Sequence, residues 1–206
     1  MKSGLKAACN LLAVLLVLPA VLVYRAGAPV LGAEKAFVGW PQALSLVPGL
    51  TGVYLRRAFY CLTLPACAWD VFVGFGVLLS HPGARLGRGV YVGPYCCLGE
   101  VTIGDDVLLG SHVSITSGMG QHGIDRTDVP IRMQPGVRRR VTIGQDSWIG
   151  ERSVVMADVG RHCVIGAGSV VTRAVPDFAI ATGAPARVIR YRDQAQEDRA
   201  QCPPPE

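Results

Sequence analysis

From residue 86 an aliphatic residue followed by glycine returns every six positions: Leu86-Gly87, Val92-Gly93, Leu98-Gly99. After a slip of one residue it resumes with Ile103-Gly104, Leu109-Gly110 and Ile115. A second block runs Ile143-Gly144, Ile149-Gly150 and Val155, slips by two, and continues as Val159-Gly160, Ile165-Gly166 and Val171. A helix repeats every ~3.6 residues and a half-buried strand every ~2, so neither has this period by itself. A period of six fits a short flat strand plus a corner, with one aliphatic side chain aimed inward per strand. The glycine that follows is expected to serve the corner conformation. A lone hexad cannot bury its inward residue, so hexads must stack into a solenoid. Val71-Phe-Val-Gly-Phe-Gly76, followed by Val77, is expected to begin the stack.

Composition agrees with a turn-rich β architecture: 25 glycines and only 7% aromatics disfavour a helical bundle. With 50% hydrophobic and 17% charged residues, the chain is not of the disordered class. The net charge of +5 is spread without a basic stripe, so no nucleic-acid partner is expected. Seven cysteines occur without a Cys-x-x-Cys pair or metal-ligand spacing, so reduced thiols and no metal are expected. There is no Walker or Rossmann glycine pattern.

Lys2 and Lys6 precede an apolar run, Ala7 to Tyr24, interrupted only by Asn10 and Pro19 and closed by Arg25. As a helix it would be roughly 27 Å long, near the thickness of a bilayer core. A cleaved signal, a spanning anchor and an interfacial helix all fit this pattern. Residues 1–26 are read as a membrane-associating helix and 27–70 as an apolar, helical cap region. Residues 192–206 are polar and proline-ended, and a disordered tail is expected there.

The repeat lapses between Ile115 and Arg140. A long insert in a regular solenoid is a candidate functional loop. This one, 116–140, carries a single histidine, His122, with Asp125 and Asp128 close behind.

The hexads, the string Ile165-Gly-Ala-Gly-Ser-Val-Val-Thr-Arg-Ala-Val-Pro176 and the string Gly183-Ala-Pro-Ala-Arg-Val-Ile189 resemble the hexapeptide-repeat acyltransferases. The resemblance covers about residues 71–191. It implies a mainly β fold, a left-handed parallel β-helix carrying the N-terminal apolar helical segment. It also implies a homotrimer with active sites between subunits, and acetyl-CoA as co-substrate. Similar enzymes often carry His-Pro-x-Asp in the insert. This chain has His122-Gly-Ile-Asp125, without the proline but with the same His-to-Asp spacing. His122 is therefore the expected general base. A neutral imidazole can take the proton of an attacking hydroxyl, which is a poor nucleophile at neutral pH. A carboxylate such as Asp125 would fix its tautomer.

On the donor side the resemblance points to Ala167 for backbone contact. It points to Thr172 and Arg173 where relatives usually have Thr-Lys, and to Arg187 and Arg190 for the phosphates of coenzyme A. Trp148, in Ser147-Trp-Ile-Gly150, matches a common family string and is expected beside the pantetheine arm or in a trimer seam. His112 stands where related O-acetyltransferases often have asparagine; with Asp128 it is assigned to the acceptor.

The expectation is transfer of an acetyl group to a hydroxyl of a sugar or of a lipid-linked or exported polysaccharide. Because acetyl-CoA is cytoplasmic, the enzyme is expected on the cytoplasmic face of the inner membrane. Serine or amino-sugar acetylation, a zinc-dependent carbonic-anhydrase-like activity and a non-catalytic scaffold are the competing readings.

Overall fold

The structure is a computed structural model in which residues 2–193 are described. Three helices come first: α1 (Lys2–Leu31), α2 (Ala33–Ser45) and α3 (Gly49–Thr63). A parallel β-solenoid of about six coils follows.

Each coil lays one short strand on each of three faces. Face A holds β1 (Ala66–Cys67), β4 (Arg85–Leu86), β7 (Val101–Ile103) and β10 (Val141–Ile143), and is extended by parallel bridges at Val159 and Val175. Face B holds β2 (Phe72–Val73), β5 (Tyr91–Val92), β8 (Leu108–Leu109), β11 (Trp148–Ile149), β13 (Val164–Ile165) and β15 (Ala179–Gly183). The antiparallel β16 (Ala186–Tyr191) closes that face. Face C holds β3 (Leu78–Leu79), β6 (Cys97–Leu98), β9 (Ser114–Ile115), β12 (Val154–Val155) and β14 (Val170–Val171).

The aliphatic residue of each hexad points inward. Val92, Leu109, Ile149 and Ile165 stand in one register on face B, and all four are fully buried. Burying one such side chain contributes roughly 1.5–3 kcal/mol, which is how two-residue strands come to hold a stack.

The slips in the repeat have one structural cause. Passing from face A to face B, or from B to C, always takes six residues, as from Ile103 to Leu109 and on to Ile115. Passing from C back to A takes five from Leu98 to Ile103, but only four from Val155 to Val159 and from Val171 to Val175. All length variation falls on this one edge, and residues 116–140 leave from it.

The hexad glycines do not serve the corners as expected from sequence. None of them has positive φ; the left-handed corner positions are held instead by residues such as Asp106, His112, Asp146, Arg152, His162 and Phe178. What excludes a side chain is the neighbouring coil. A Cβ on Gly150 would lie 2.5 Å from the backbone N of Ala167, and one on Gly144 would lie 2.5 Å from the carbonyl carbon of Gly160. Gly150→Ala should therefore force adjacent coils apart and destabilise the protein by about 1–3 kcal/mol, read from denaturant unfolding.

The solenoid begins at Ala66, one strand earlier than residue 71, and its open end is capped by α2 and α3. Arg56 of α3 is completely buried. Its Nε donates to the Val73 carbonyl on face B at 3.0 Å, and its Nη1 donates to the carbonyls of Leu44 and Val47 at 2.9 and 2.8 Å. The Gly76 N–H donates to the Ser45 carbonyl at 3.0 Å. Phe37, Phe59 and Tyr60 fill the space between, with ring centroids 5.9–6.5 Å apart.

α1 packs on α2 and α3 through Ala13, Val17, Val21 and Tyr24. It runs on to Leu31 rather than stopping at residue 26, and carries Pro19 and Pro29 inside it. A proline removes one helical hydrogen bond, but the continuous stripe against α2 and α3 holds the helix through Pro19. Gly32, at φ 84°, makes the turn into α2.

Candidate active site

Residues 116–140 form a folded arm. The Val137 N–H donates to the Gly120 carbonyl at 2.6 Å, and the Arg139 N–H donates to the Ser117 carbonyl at 2.9 Å, so the two limbs of the arm run side by side. Further out, the buried Gln134 organises the tip. Its Nε2 donates to the carbonyls of Arg126 and Val129 at 2.7 and 2.9 Å, and its Oε1 accepts from the Arg126 N–H at 3.2 Å. Nothing in the local sequence marks Gln134. Only the return of the chain buries it.

The arm and the face C-to-A edge enclose a cleft of about 490 Å³. Gly118, Gly120 and Val137 line it from the arm, and Thr172, Arg173 and Met156 line it from the solenoid. Arg139 donates to Asp158 at 2.6 Å, tying the root of the arm to the corner of the next coil. His122 lies two residues past Gly120, exposed on the arm. Asp125 is also exposed, and neither side chain makes a hydrogen bond among the described residues. The expected His122–Asp125 pair is thus not closed in the single chain, where both groups are exposed to solvent. Asp128 lines a separate hollow of about 570 Å³ at the tip of the arm. Its carboxylate is held below the usual range by hydrogen bonds from Arg126.

The other predicted residues sit elsewhere on the prism. His112 occupies a left-handed corner between faces B and C (φ 58°), stacked on Tyr95 with ring centroids 5.0 Å apart. Ala167 lies exposed on the same edge, two coils further on. Trp148 projects from face B, 54% exposed. Arg190 pairs with Ile180 in the closing hairpin, and Arg187 lies near its tip, both exposed.

A model of the bacterial transferase hexapeptide, six repeats, matches residues 140–173. The chain is 40% identical to the galactoside O-acetyltransferase of Escherichia coli over 93 residues, 44% of this chain and 43% of that one. It is 31% identical to the serine acetyltransferase of Bacillus subtilis over 139 residues, 66% of this chain and 58% of the relative. These similarities support the hexapeptide-repeat acyltransferase family. It spans about half the length of the curated relatives it matches. A solved galactoside acetyltransferase in complex with coenzyme A superposes with a TM-score of 0.59 at 23% identity, covering 82% of this chain and 85% of that one. Superposition preserves hand, so this hexapeptide-repeat chain is a left-handed parallel β-helix, an exception to the usual right-handed crossover.

Within the single chain the predicted residues divide into groups. His122, Asp125, Thr172 and Arg173 belong to the C-to-A edge and its arm; His112 and Ala167 belong to the B-to-C edge; Trp148, Arg187 and Arg190 belong to face B and its hairpin. Arg192 does not begin a loose tail. Its Nη1 donates to Asp146 at 3.2 Å and to the His162 carbonyl at 3.0 Å. The rest of the expected tail, from 194 on, lies outside the described residues.

One constellation escaped the sequence reading. His162 Nδ1 lies 2.8 Å from Asp146 Oδ2, and the His162 ring stacks on Phe178 at 4.9 Å. Asp146, His162 and Phe178 are each one sixteen-residue coil apart. Reading the corners at that spacing would have found them. Hydrogen bonding to His162, and Arg192 beyond it, holds Asp146 below the usual carboxylate range. This ladder lies on the A-to-B edge, away from the arm.

Among the described residues no three His, Cys, Asp or Glu side chains gather to hold a metal ion. Burial raises the Cys163 thiol and pushes Cys96 up to about 11, so neither is poised as a thiolate nucleophile.

Proposed function

We propose that the protein transfers an acetyl group from acetyl-CoA to a hydroxyl of a sugar or polysaccharide, in a ternary complex with His122 as general base. The observation that carries this reading is the shared cleft. The arm bearing His122 springs from the edge that presents Thr172 and Arg173, the residues the sequence resemblance points to for the donor, and His122 follows two residues after the cleft-lining Gly120. Likeness to a galactoside O-acetyltransferase, and to a fold solved with coenzyme A bound, supports a sugar acceptor and a coenzyme A donor.

The site is completed by a homotrimer in this proposal. A neighbour's B-to-C edge, with His112 and Ala167, would face the arm and the C-to-A edge of the first protomer. His122 is exposed in the single chain because its working surroundings come from that neighbour. The acceptor hydroxyl loses its proton to the imidazole as its oxygen attacks the thioester carbonyl. The tetrahedral intermediate then collapses with expulsion of the coenzyme A thiolate, which recovers the proton from the imidazolium.

Arg173 lines the cleft, and in this proposal its guanidinium meets a phosphate of coenzyme A. Arg173→Glu should raise the KM for acetyl-CoA about tenfold or more while leaving kcat within a fewfold, since an opposed charge replaces a charge-assisted contact worth roughly 1.5–3 kcal/mol. Unchanged KM would remove Arg173 from the donor site. The reading as a whole is tested by coenzyme A release from acetyl-CoA across mono- and oligosaccharide acceptors, with sedimentation to give the oligomeric state. Release with L-serine alone would favour the second reading, which the likeness to a serine acetyltransferase supports. No release with any acceptor would overturn both.

A further inference from the structure

The face of α1 turned away from the body is long, apolar and exposed. Within Gly4–Leu31 an eighteen-residue window has a mean hydropathy of 2.4, and only 22% of that window is buried. Leu11, Leu12, Leu15, Leu16, Leu22 and Val23 are each at least 57% exposed, and no charged residue lies between Lys6 and Arg25. Exposed Lys6 stands near one end of this surface, and exposed Arg25 and Lys35 stand near the other. A contiguous apolar surface bounded by cations matches a bilayer with anionic headgroups.

We infer that α1 lies in the plane of the membrane, its apolar face sunk into one leaflet, and does not cross it. This rests on the helices and not on the acyl-transfer reading. α1 is fastened lengthwise to the body at two points. Arg57 Nη2 donates to Asn10 Oδ1 at 2.6 Å, and Arg25 Nη2 donates to the Leu62 carbonyl at 3.0 Å. The helix that receives it, α3, is itself pinned across the end of the solenoid by the Arg56–Val73 bond. An α1 standing across the bilayer would have to drag Arg57 into hydrocarbon or leave Asn10 there without its partner, and both are unfavourable. Lying flat, α1 keeps both fastenings and buries only its apolar side.

The arrangement also orients the rest of the molecule. α2 and α3 separate α1 from the first coil, so the solenoid projects away from the lipid. Glu34, in the first turn of α2, accepts from Arg138 Nη1 at 3.0 Å. The root of the arm is thereby held beside the membrane-docked layer, where an acceptor carried in the membrane would arrive.

The test uses the full chain and vesicles of phosphatidylcholine with or without one quarter phosphatidylglycerol. Flotation should carry the protein with both, at least tenfold more strongly with the anionic vesicles at low salt. Nitroxide probes placed singly at Leu11, Leu15 and Leu22, which share one side of the helix, should report the same shallow depth. The double variant L15D/L22D, altered only at exposed positions, should keep its circular dichroism and lose flotation. Three results would overturn the inference. One is a depth that changes steadily from Leu11 to Leu22 by about 16 Å, the rise of eleven helical residues, which marks a spanning helix. Another is absence of flotation by the folded wild-type chain. The third is a concentration-dependent self-association, abolished by L15D/L22D, that replaces vesicle binding.

Discussion

His122→Ala is expected to lower the rate of acetyl transfer by about 10²–10⁴-fold, the usual contribution of a positioned general base. The loss should appear in kcat, with binding of coenzyme A and the sedimentation behaviour unchanged. The substitution is structurally mild: His122 is exposed on the arm, and the arm's own bonds are made by Gln134, Gly120, Val137 and Arg139 rather than by the imidazole. His162→Ala is the necessary companion. His162 holds a carboxylate, Asp146, at 2.8 Å, closer than His81 stands to Glu34 at 3.4 Å, and on the geometry of the single chain it is the rival base. Its place on the A-to-B edge, stacked between coils, assigns it instead to the corner ladder. His162→Ala should therefore cost some stability and leave turnover within a fewfold. The reverse pattern, with activity lost at His162 and kept at His122, would move the reaction to the other edge of the prism.

The second large effect concerns the joint between helices and solenoid. Arg56→Met keeps the apolar stem but removes the donors to Val73, Leu44 and Val47. Those carbonyls stay buried with fewer partners, at roughly 1–3 kcal/mol each in the worst case. The guanidinium itself is costly to bury, as its lowered pKa from desolvation indicates, and removing that cost offsets part of the loss. A net destabilisation of about 3 kcal/mol is expected. In a chain of this size that is a fall in Tm of roughly 6–12 °C, measured by calorimetry. If Tm does not change, the helical cap and the solenoid are not held together through Arg56.

The hexads were legible because each one carries its whole structural instruction in two adjacent residues, an aliphatic that must be buried and a glycine. The reason for the glycine was not legible. Corner conformation and coil spacing both favour a missing side chain, and only the adjacent strand shows that spacing decides: Gly150 faces the backbone of Ala167, while His112 and Asp146 take the left-handed corners. The slips were visible as irregularities, but their meaning needed the three faces, since they mark the one edge where coil length varies without disturbing register. Gln134 and the Asp146–His162 pair were missed for a related reason. Their partners are brought to them by the return of the chain or by stacking one coil away, and neither is a neighbour in sequence.

The sequence by itself determined the solenoid and the insert that bears His122, because a six-residue burial pattern admits few other folds, while the family came from the resemblance of its strings. It also marked the apolar helix, because eighteen residues pass without a charge. Tertiary structure decided where these parts lie relative to one another. It put the arm on the C-to-A edge with Thr172 and Arg173, set His112 and Ala167 on a different edge, and laid α1 flat along α3 through Asn10 and Arg25. Such placements depend on hydrogen bonds and packing between residues far apart in the chain, whose energies no local pattern records.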